Sequence, residues 1–349
     1  MLLSSPHQTL FQVVAQTAAA NGFGAYLVGG VVRDLLLGKP ALDEDIDLLI
    51  EGNAISFALL LQAQVGGELR KFEKFYTAKI IAPQDCYACR EIDLASSRTE
   101  VYPHPGALPQ VSLSALKEDL RRRDFSINAV AISISDLLIA AQSKSWPEST
   151  LKAQCIDHFH GLQDLSSRTL RVLHDQSFLD DPTRIFRLAR YLCRLDGQVE
   201  ANTKSLLDEA VHSGALATIS LQRVLNELKK IFEERTPLSA LTFLVQTGAL
   251  SCLRRLTEVE PTEILARLNR SSEYLDTLPA GEQFWWFLLC MIDLRGVQVW
   301  SDQLAQLGLK KKEVQQRAAL LRAVSSGSNE CQDEAWRQLR LALNLDRCA

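Results

Sequence analysis

Apolar positions in the first 140 residues change period several times. In "PHQTLFQVVAQTAAANG" they recur at helical spacing, and Asn21-Gly22 supplies the stop. "AYLVGG" predicts a short strand ending on glycine, and "VVRDLLLG" a helix closed by Gly38. "DIDLLIEG" alternates as a strand does, and "AISFALLLQAQVGG" returns to helical spacing. Strands are predicted again in "FYTAKIIAP" and "CREIDLASSR". "TEVYPHPGALPQVSLS", with three prolines and a glycine, predicts a loop, and "SALKEDLRRRDFSINAVAIS" a helix running into a strand.

Beyond about residue 140 the pattern is almost wholly helical. Runs at 177–195, 203–213, 220–234, 237–249 and 260–270 all read as helices, with more after 280. "QSKSWPEST" reads as a connecting loop, and a short strand near "AQCIDHF" is the one later exception. The expected architecture is an α/β (α+β) head over 1–140, a helical segment over 141–235 and a further helical part over 236–349.

Composition adds limits rather than identity. An apolar content of 47% with 23% charged residues is ordinary for a globular chain of 349 residues. A net charge of −4 leaves nucleic acid open as a partner, because basic residues can gather on one face of an acidic protein. Of eight cysteines only Cys86 and Cys89 form a C-x-x-C pair; with no second pair or histidine cluster, they read as reduced thiols rather than a zinc site. "MLLSSPHQTLFQ" has no cationic leader pattern, and no apolar run reaches spanning length, so a cytoplasmic location without membrane attachment is expected.

Four stretches carry candidate chemistry. On a strand, Asp45 and Asp47 share one face roughly 7 Å apart, an arrangement suited to a hard cation such as Mg2+ held jointly with phosphates. Asp43 has the same parity but falls in the preceding loop. Gly29-Gly30 at a strand-to-helix turn lets a phosphate approach the backbone, and Arg33 in the first helical turn is a cation that an anionic ligand would offset. In "EDLRRRDFSINAVAI" three arginines abut Asp124 and lead into an apolar run, which requires an acidic or anionic partner unless they simply complement a helix end. In "SFLDDPTRIFRLARYLCRL", Asp181, Arg184, Arg187 and Arg190 recur every third residue; an Asp and an Arg together match the edge of a base, and an i,i+3 salt-bridge stripe is the plainer alternative.

Taken together, these stretches resemble the class II tRNA nucleotidyltransferases and bacterial poly(A) polymerases of the polymerase-β superfamily, over residues 23–235. "GGVVRDLLLG…DEDIDL" is similar to the family's catalytic motif, "RRRDFSINAVAI" to its ribose-reading motif, "DDPTRIFRLARY" to its nucleobase-reading helix and "ISLQRVLNELKKI" to a later helical motif. The resemblance implies a catalytic head, a helical neck and a body and tail that bind tRNA. It implies that Asp45 and Asp47 bind two metal ions, with Asp93 on "EIDLAS" a candidate third catalytic carboxylate. By the same resemblance Gly29, Gly30 and Arg33 lie near the triphosphate, and Arg123, Asp124 and Asn128 lie near the sugar and phosphates. Asp181 and Arg184 would read the base, and Arg187 and Arg190 would support the triphosphate and their own helix. The implied activity is addition of CMP and/or AMP from CTP and ATP to the tRNA 3′ end, with Mg2+ as cofactor.

This chain also departs from the family pattern. The family commonly has Glu-Asp where Asp180-Asp181 stands, and an acid where Gln222 stands. "TEVYPHPGALPQV" resembles members grouped with A-adding enzymes, and a strongly basic tail of the poly(A) polymerase kind is missing. CCA, CC-only and A-only addition stay open, while the intact G-G, D-x-D and R-R-D sets argue against a non-catalytic RNA-binding relative. "KKKEVQQRAALLRA" reads equally as a phosphate-contacting surface or a solvated helix face, whereas "EQFWWFLLCMI" reads as a buried helix with Trp285 and Trp286 in the core.

Overall fold

The computed structural model describes residues 3–39, 45–87, 89–104, 106–107, 109–141 and 148–291, with a few positions between 304 and 319. Asp43, most of "QSKSWPEST" and most of "KKKEVQQRAALLRA" lie outside the described residues. The chain divides into two compact units, Met1–Pro103 with Leu108–Ser177, and His104–Ala107 with Phe178–Ala349.

In the first unit, α1 (Ser5–Asn21) begins where the Ser4 hydroxyl accepts from the His7 amide and ends at Gly22 with φ +70°. β1 (Gly24–Val28), α2 (Gly30–Leu36), β2 (Asp45–Glu51) and α3 (Ala54–Val65) follow as their periods predict. The polar segment β3 (Glu68–Phe72) carries no strand signal of its own; pairing with β4 (Thr77–Ile81) along five residues makes it an edge strand. β5 (Glu91–Ser96) comes next. β6 (Arg98–Val101) and β7 (Gln110–Leu113) form a separate antiparallel ribbon. The expected loop is thus confined to the proline-bearing middle, since its β-branched ends are free to pair.

α4 (Leu116–Arg121) leads through a 3-10 turn at Ser126–Asn128 to β8 (Val130–Ser133), α5 (Ile134–Ala141), α6 (Glu148–Gln154), β9 (Cys155–Asp157) and α7 (Gly161–Ser166). The large sheet has the order β3-β4-β5-β2-β1-β8-β9, with only β2 and β5 parallel. Because β9 pairs with β8, this unit runs to Ser177, past the boundary expected at 140. α1 and α3 cover one face, where Ile46, Leu48 and Phe57 are buried. On the other face Leu49 is buried with Leu116 and Leu120 of α4, which leaves the N-terminal end of β2 uncovered. The Glu51 carboxylate caps the start of α4 through the Leu116 amide at 2.9 Å, fixing where the arginines that follow it emerge.

The second unit is helical: α8 (Ser177–Asp180), α9 (Thr183–Leu195), α10 (Ala201–His212), α11 (Leu221–Phe232), α12 (Pro237–Gln246), α13 (Pro261–Arg270), α14 (Ser272–Leu275) and α15 (Ala280–Cys290). The run expected at 177–195 breaks at Asp181-Pro182, because proline has no amide hydrogen and disfavours helical geometry in the residue before it. Trp285 and Trp286 lie in the core, and Trp286 Nε1 donates to Ser271 Oγ at 2.9 Å. Among the described residues no helix is long and apolar enough to cross a membrane.

Candidate functional site

The uncovered end of the sheet is acidic. Strand alternation puts Asp45 and Asp47 on the open face, and the parallel register sets Glu91 opposite Asp45 and Asp93 opposite Asp47. Four carboxylates from two strands therefore share one patch. Burial, then the charges of Asp93 and Asp45, hold the Asp47 carboxyl above its ordinary range, and Lys79 opposes them. Lys79 on β4 reaches Glu91 Oε1 at 2.7 Å and Asp93 Oδ2 at 3.1 Å, while Arg90 grips both oxygens of Asp45 at 2.6 and 3.1 Å.

This donor set fits a divalent metal ion. The carboxylates are hard oxygen donors whose mutual repulsion a cation would relieve, as the raised Asp47 carboxyl shows. Among the described residues no three His, Cys, Asp or Glu side chains form a ready-made metal cluster. The patch therefore suits a cation that completes its shell with phosphate oxygens rather than one caged by protein.

Beside it, Gly29 turns the chain with φ +79°, and a Cβ there would lie 3.0 Å from Arg123 Nη1. Arg33 is not the exposed cation its position suggests: it is 1% exposed and pairs with Asp34 through Nε and Nη2, both at 3.0 Å. Its Nη1 donates to Asn128 Oδ1 at 2.8 Å, and Asn128 Nδ2 donates to Asp124 Oδ1 at 3.0 Å. A continuous relay thus ties α2 to the 124–128 turn. The expected acidic partner of the arginines is Asp119, which accepts from Arg123 at 2.8 Å and from Arg122, while Arg122 also meets Glu100 at 2.7 Å. Burial pushes the Asp119 carboxyl up, but Arg123 and Arg122 outweigh it and leave the group below its ordinary range. Arg123 Nε stays buried without a hydrogen bond.

In the second unit, Asp181 stands at the entry to α9 rather than on a helical stripe. Its Oδ1 accepts from Thr183 N at 3.1 Å, Thr183 Oγ1 at 2.6 Å and Arg223 Nη2 at 2.7 Å. Burial, with Asp181 adding and Arg184 opposing, raises the Asp180 carboxyl. Arg184 and Arg190 are buried on α9. Arg187, Arg190 and Arg194 all flank the Tyr191 ring, with guanidinium carbons 5.1 to 5.7 Å from its centroid. Glu234 pairs with Arg194 and lies 3.9 Å from Arg190.

Gly29, Gly30, Arg33, Arg123, Asp124 and Asn128 are thus one connected group, Asp45, Asp47 and Asp93 one acidic patch, and Asp181, Arg184, Arg187 and Arg190 a group in the other unit. Sequence reasoning passed over Asp34, Lys79, Glu91, Asp119 and Arg223. Asp119 carries a readable signal, since it precedes Arg122 and Arg123 by three and four residues on a helix. Lys79 and Arg223 carry none, because their partners are set by strand register and helix packing.

Comparisons with known proteins place the chain among relatives of one kind. The poly A polymerase head domain family matches residues 25–171. An A-adding tRNA nucleotidyltransferase of Geobacter sulfurreducens is 38% identical over 260 residues, covering 74% of this chain and 27% of that protein. The A-adding enzyme of Halalkalibacterium halodurans is 35% identical over 288 residues, covering 82% of this chain and 61% of that one. The chain thus spans about a quarter and about three-fifths of the lengths of these two relatives. A solved Thermotoga maritima CCA-adding enzyme in complex with tRNA superposes with a TM-score of 0.73 at 28% identity, over 97% of this chain and 79% of that one.

Proposed function

We infer that this chain, which belongs to the class II tRNA nucleotidyltransferase and poly(A) polymerase family, adds CMP and/or AMP to the 3′ end of tRNA without a nucleic-acid template, from CTP and ATP. The observation that carries the reading is the carboxylate patch of Asp45, Asp47 and Asp93 on the open end of a sheet whose next turn is Gly29-Gly30 under Arg123.

Asp45 and Asp47 would hold divalent metal ions, Mg2+ by the hardness of the donors, with Asp93 as a third catalytic carboxylate beside them. Bound there, the metal would supply charge neutralisation at the phosphates and make the attacking 3′-hydroxyl of the tRNA more acidic. Arg123, whose Nη1 lies beside the side-chain-free Gly29, is the cation offered to the triphosphate. Arg33, Asn128 and Asp124 lock that turn, so the donors are aimed before the nucleotide arrives. Asp181 and Arg184 present an acceptor and a fork of donors to the base. Arg187 and Arg190 hold α9 through Tyr191.

An A-only specialist is the second reading, favoured by the A-adding relatives. The test is incubation with Mg2+ and labelled CTP or ATP on tRNAs lacking the terminal triplet, ending in one C, or ending in CC. Extension of all three marks complete CCA addition, and extension with ATP of the CC-ended tRNA alone marks the specialist. No incorporation on any of them overturns both readings.

A further inference from the structure

Asp181 is held asymmetrically. All of its side-chain hydrogen bonds among the described residues fall on Oδ1, and none reaches Oδ2. Two of the three donors to Oδ1 are local, the Thr183 amide and hydroxyl, closing an Asx-type turn just before α9. The third comes from 42 residues away. Arg223, on α11, sends Nη2 to Oδ1 at 2.7 Å and Nη1 to the Gly106 carbonyl at 2.9 Å. Gly106 is itself fixed: its φ is +72°, its amide donates to the Asp180 carbonyl at 3.3 Å, and a Cβ there would lie 2.3 Å from Thr218 Oγ1. A planar guanidinium with both ends anchored loses little freedom in holding a carboxylate, so its grip fixes the carboxylate plane as well as its position.

We propose that Arg223 is a positioning residue for nucleotide selection. By saturating Oδ1 from a rigid backbone anchor it leaves Oδ2 as the single oriented acceptor that Asp181 presents to a base. The inference rests on the reading that Asp181 faces the base. A base with an amino group opposite Oδ2 satisfies this acceptor, whereas one with a carbonyl there leaves two acceptors opposed. Such selection depends on the carboxylate being unable to rotate. Once freed, it can turn another oxygen or edge to the wrong base.

The test measures kcat/KM for the correct and the incorrect nucleoside triphosphates on one tRNA, in wild type and in Arg223→Met, Arg223→Lys, Thr183→Val and Asp181→Ala. Arg223→Met is expected to lower the discrimination ratio about tenfold or more, the scale of one hydrogen bond to a charged group. Most of that change should come from improved use of the wrong nucleotide. Arg223→Lys should recover part of the ratio, and Thr183→Val, which loosens the same oxygen from the other side, should lower it by a smaller factor. In an Asp181→Ala background, Arg223→Met should change the ratio less than about twofold, because the group it orients is gone.

A merely structural arginine would instead lower kcat/KM for all nucleotides together, alongside the unfolding midpoint, with the ratio intact. That result overturns the inference, as does a full ratio in Thr183→Val should Arg223→Met not fold. If Asp181→Ala itself keeps the wild-type ratio, the base-reading role fails and this inference falls with it. If Asp181→Ala loses the ratio while Arg223→Met keeps it, the inference alone is overturned.

Discussion

Asp47 and Asp119 are treated in opposite ways within one unit. Asp47 sits among Asp93, Asp45 and Glu91 on an open sheet end, with its carboxyl held above the ordinary range. Asp119 is wholly buried between Arg122 and Arg123, with its carboxyl held below that range. The first arrangement stores repulsion that a cation would release. The second spends its charge on holding two arginines in place. This unit thus sets a patch of mutually repelling carboxylates, bridged in part by Lys79 and Arg90, beside a buried carboxylate paired with two arginines.

The largest expected effect separates the two directly. Asp47→Ala or Asp45→Ala should reduce nucleotide transfer by about a thousandfold or more, the scale of several kcal/mol of lost transition-state stabilisation. In Asp47→Ala the unfolding midpoint should hold or rise, because a repelling charge is removed. Transfer assays with thermal denaturation check both halves, and retained single-turnover activity in either variant counts against the assignment.

Asp119→Ala should do the reverse and destabilise the fold by about 3–5 kcal/mol, since it leaves two arginines without their buried partner. Denaturant unfolding measures this, and a loss under about 1 kcal/mol would mean that the arginines find other partners.

Gly29→Ala is expected to cost about 1–3 kcal/mol from its positive φ alone. The new methyl also meets Arg123 Nη1, so the KM for the nucleoside triphosphate should rise more than kcat falls.

The smallest effect is a pH dependence of opposite sign at the two aspartates. The raised Asp47 carboxyl favours the folded state while protonated, and that contribution is lost as pH rises from the ordinary aspartate range through the folded value. Asp47→Asn should therefore be slightly more stable than wild type at neutral pH, with the gain vanishing in acid. The lowered Asp119 carboxyl stabilises above the ordinary aspartate range, and this is lost as pH falls through its folded value. Asp119→Asn should therefore be less stable at neutral pH, and its deficit should shrink in acid. Melting curves from neutral pH into acid check both signs.

Much of the fold is readable along the chain. The helix of "AISFALLLQAQV" and helices such as α11 and α13 follow from apolar spacing, because each buries a single face, and the strand of "DIDLLIE" follows from its opening alternation. β3 is not readable, since its polar residues are held in a strand by pairing with β4 alone. Nor is the ribbon of β6 and β7, whose prolines lie only in its connecting segment. The same divide runs through the site. Asp45 and Asp47 could be placed on one face by alternation, and the Gly29-Gly30 turn by its residue types. Arg33 could not be seen as buried, because the Asn128 that receives it lies 95 residues away.

Local order along the chain thus set which donors exist, which of them share a strand face, and where helices begin and end, since those properties depend on neighbours within a few residues. Partnership across the fold settled the remainder: Asp93 beside Asp47, Lys79 between two carboxylates, Asn128 under Arg33 and Arg223 on Asp181. These depend on strand register and helix packing, where a shift of one residue would exchange every partner while leaving the local pattern intact.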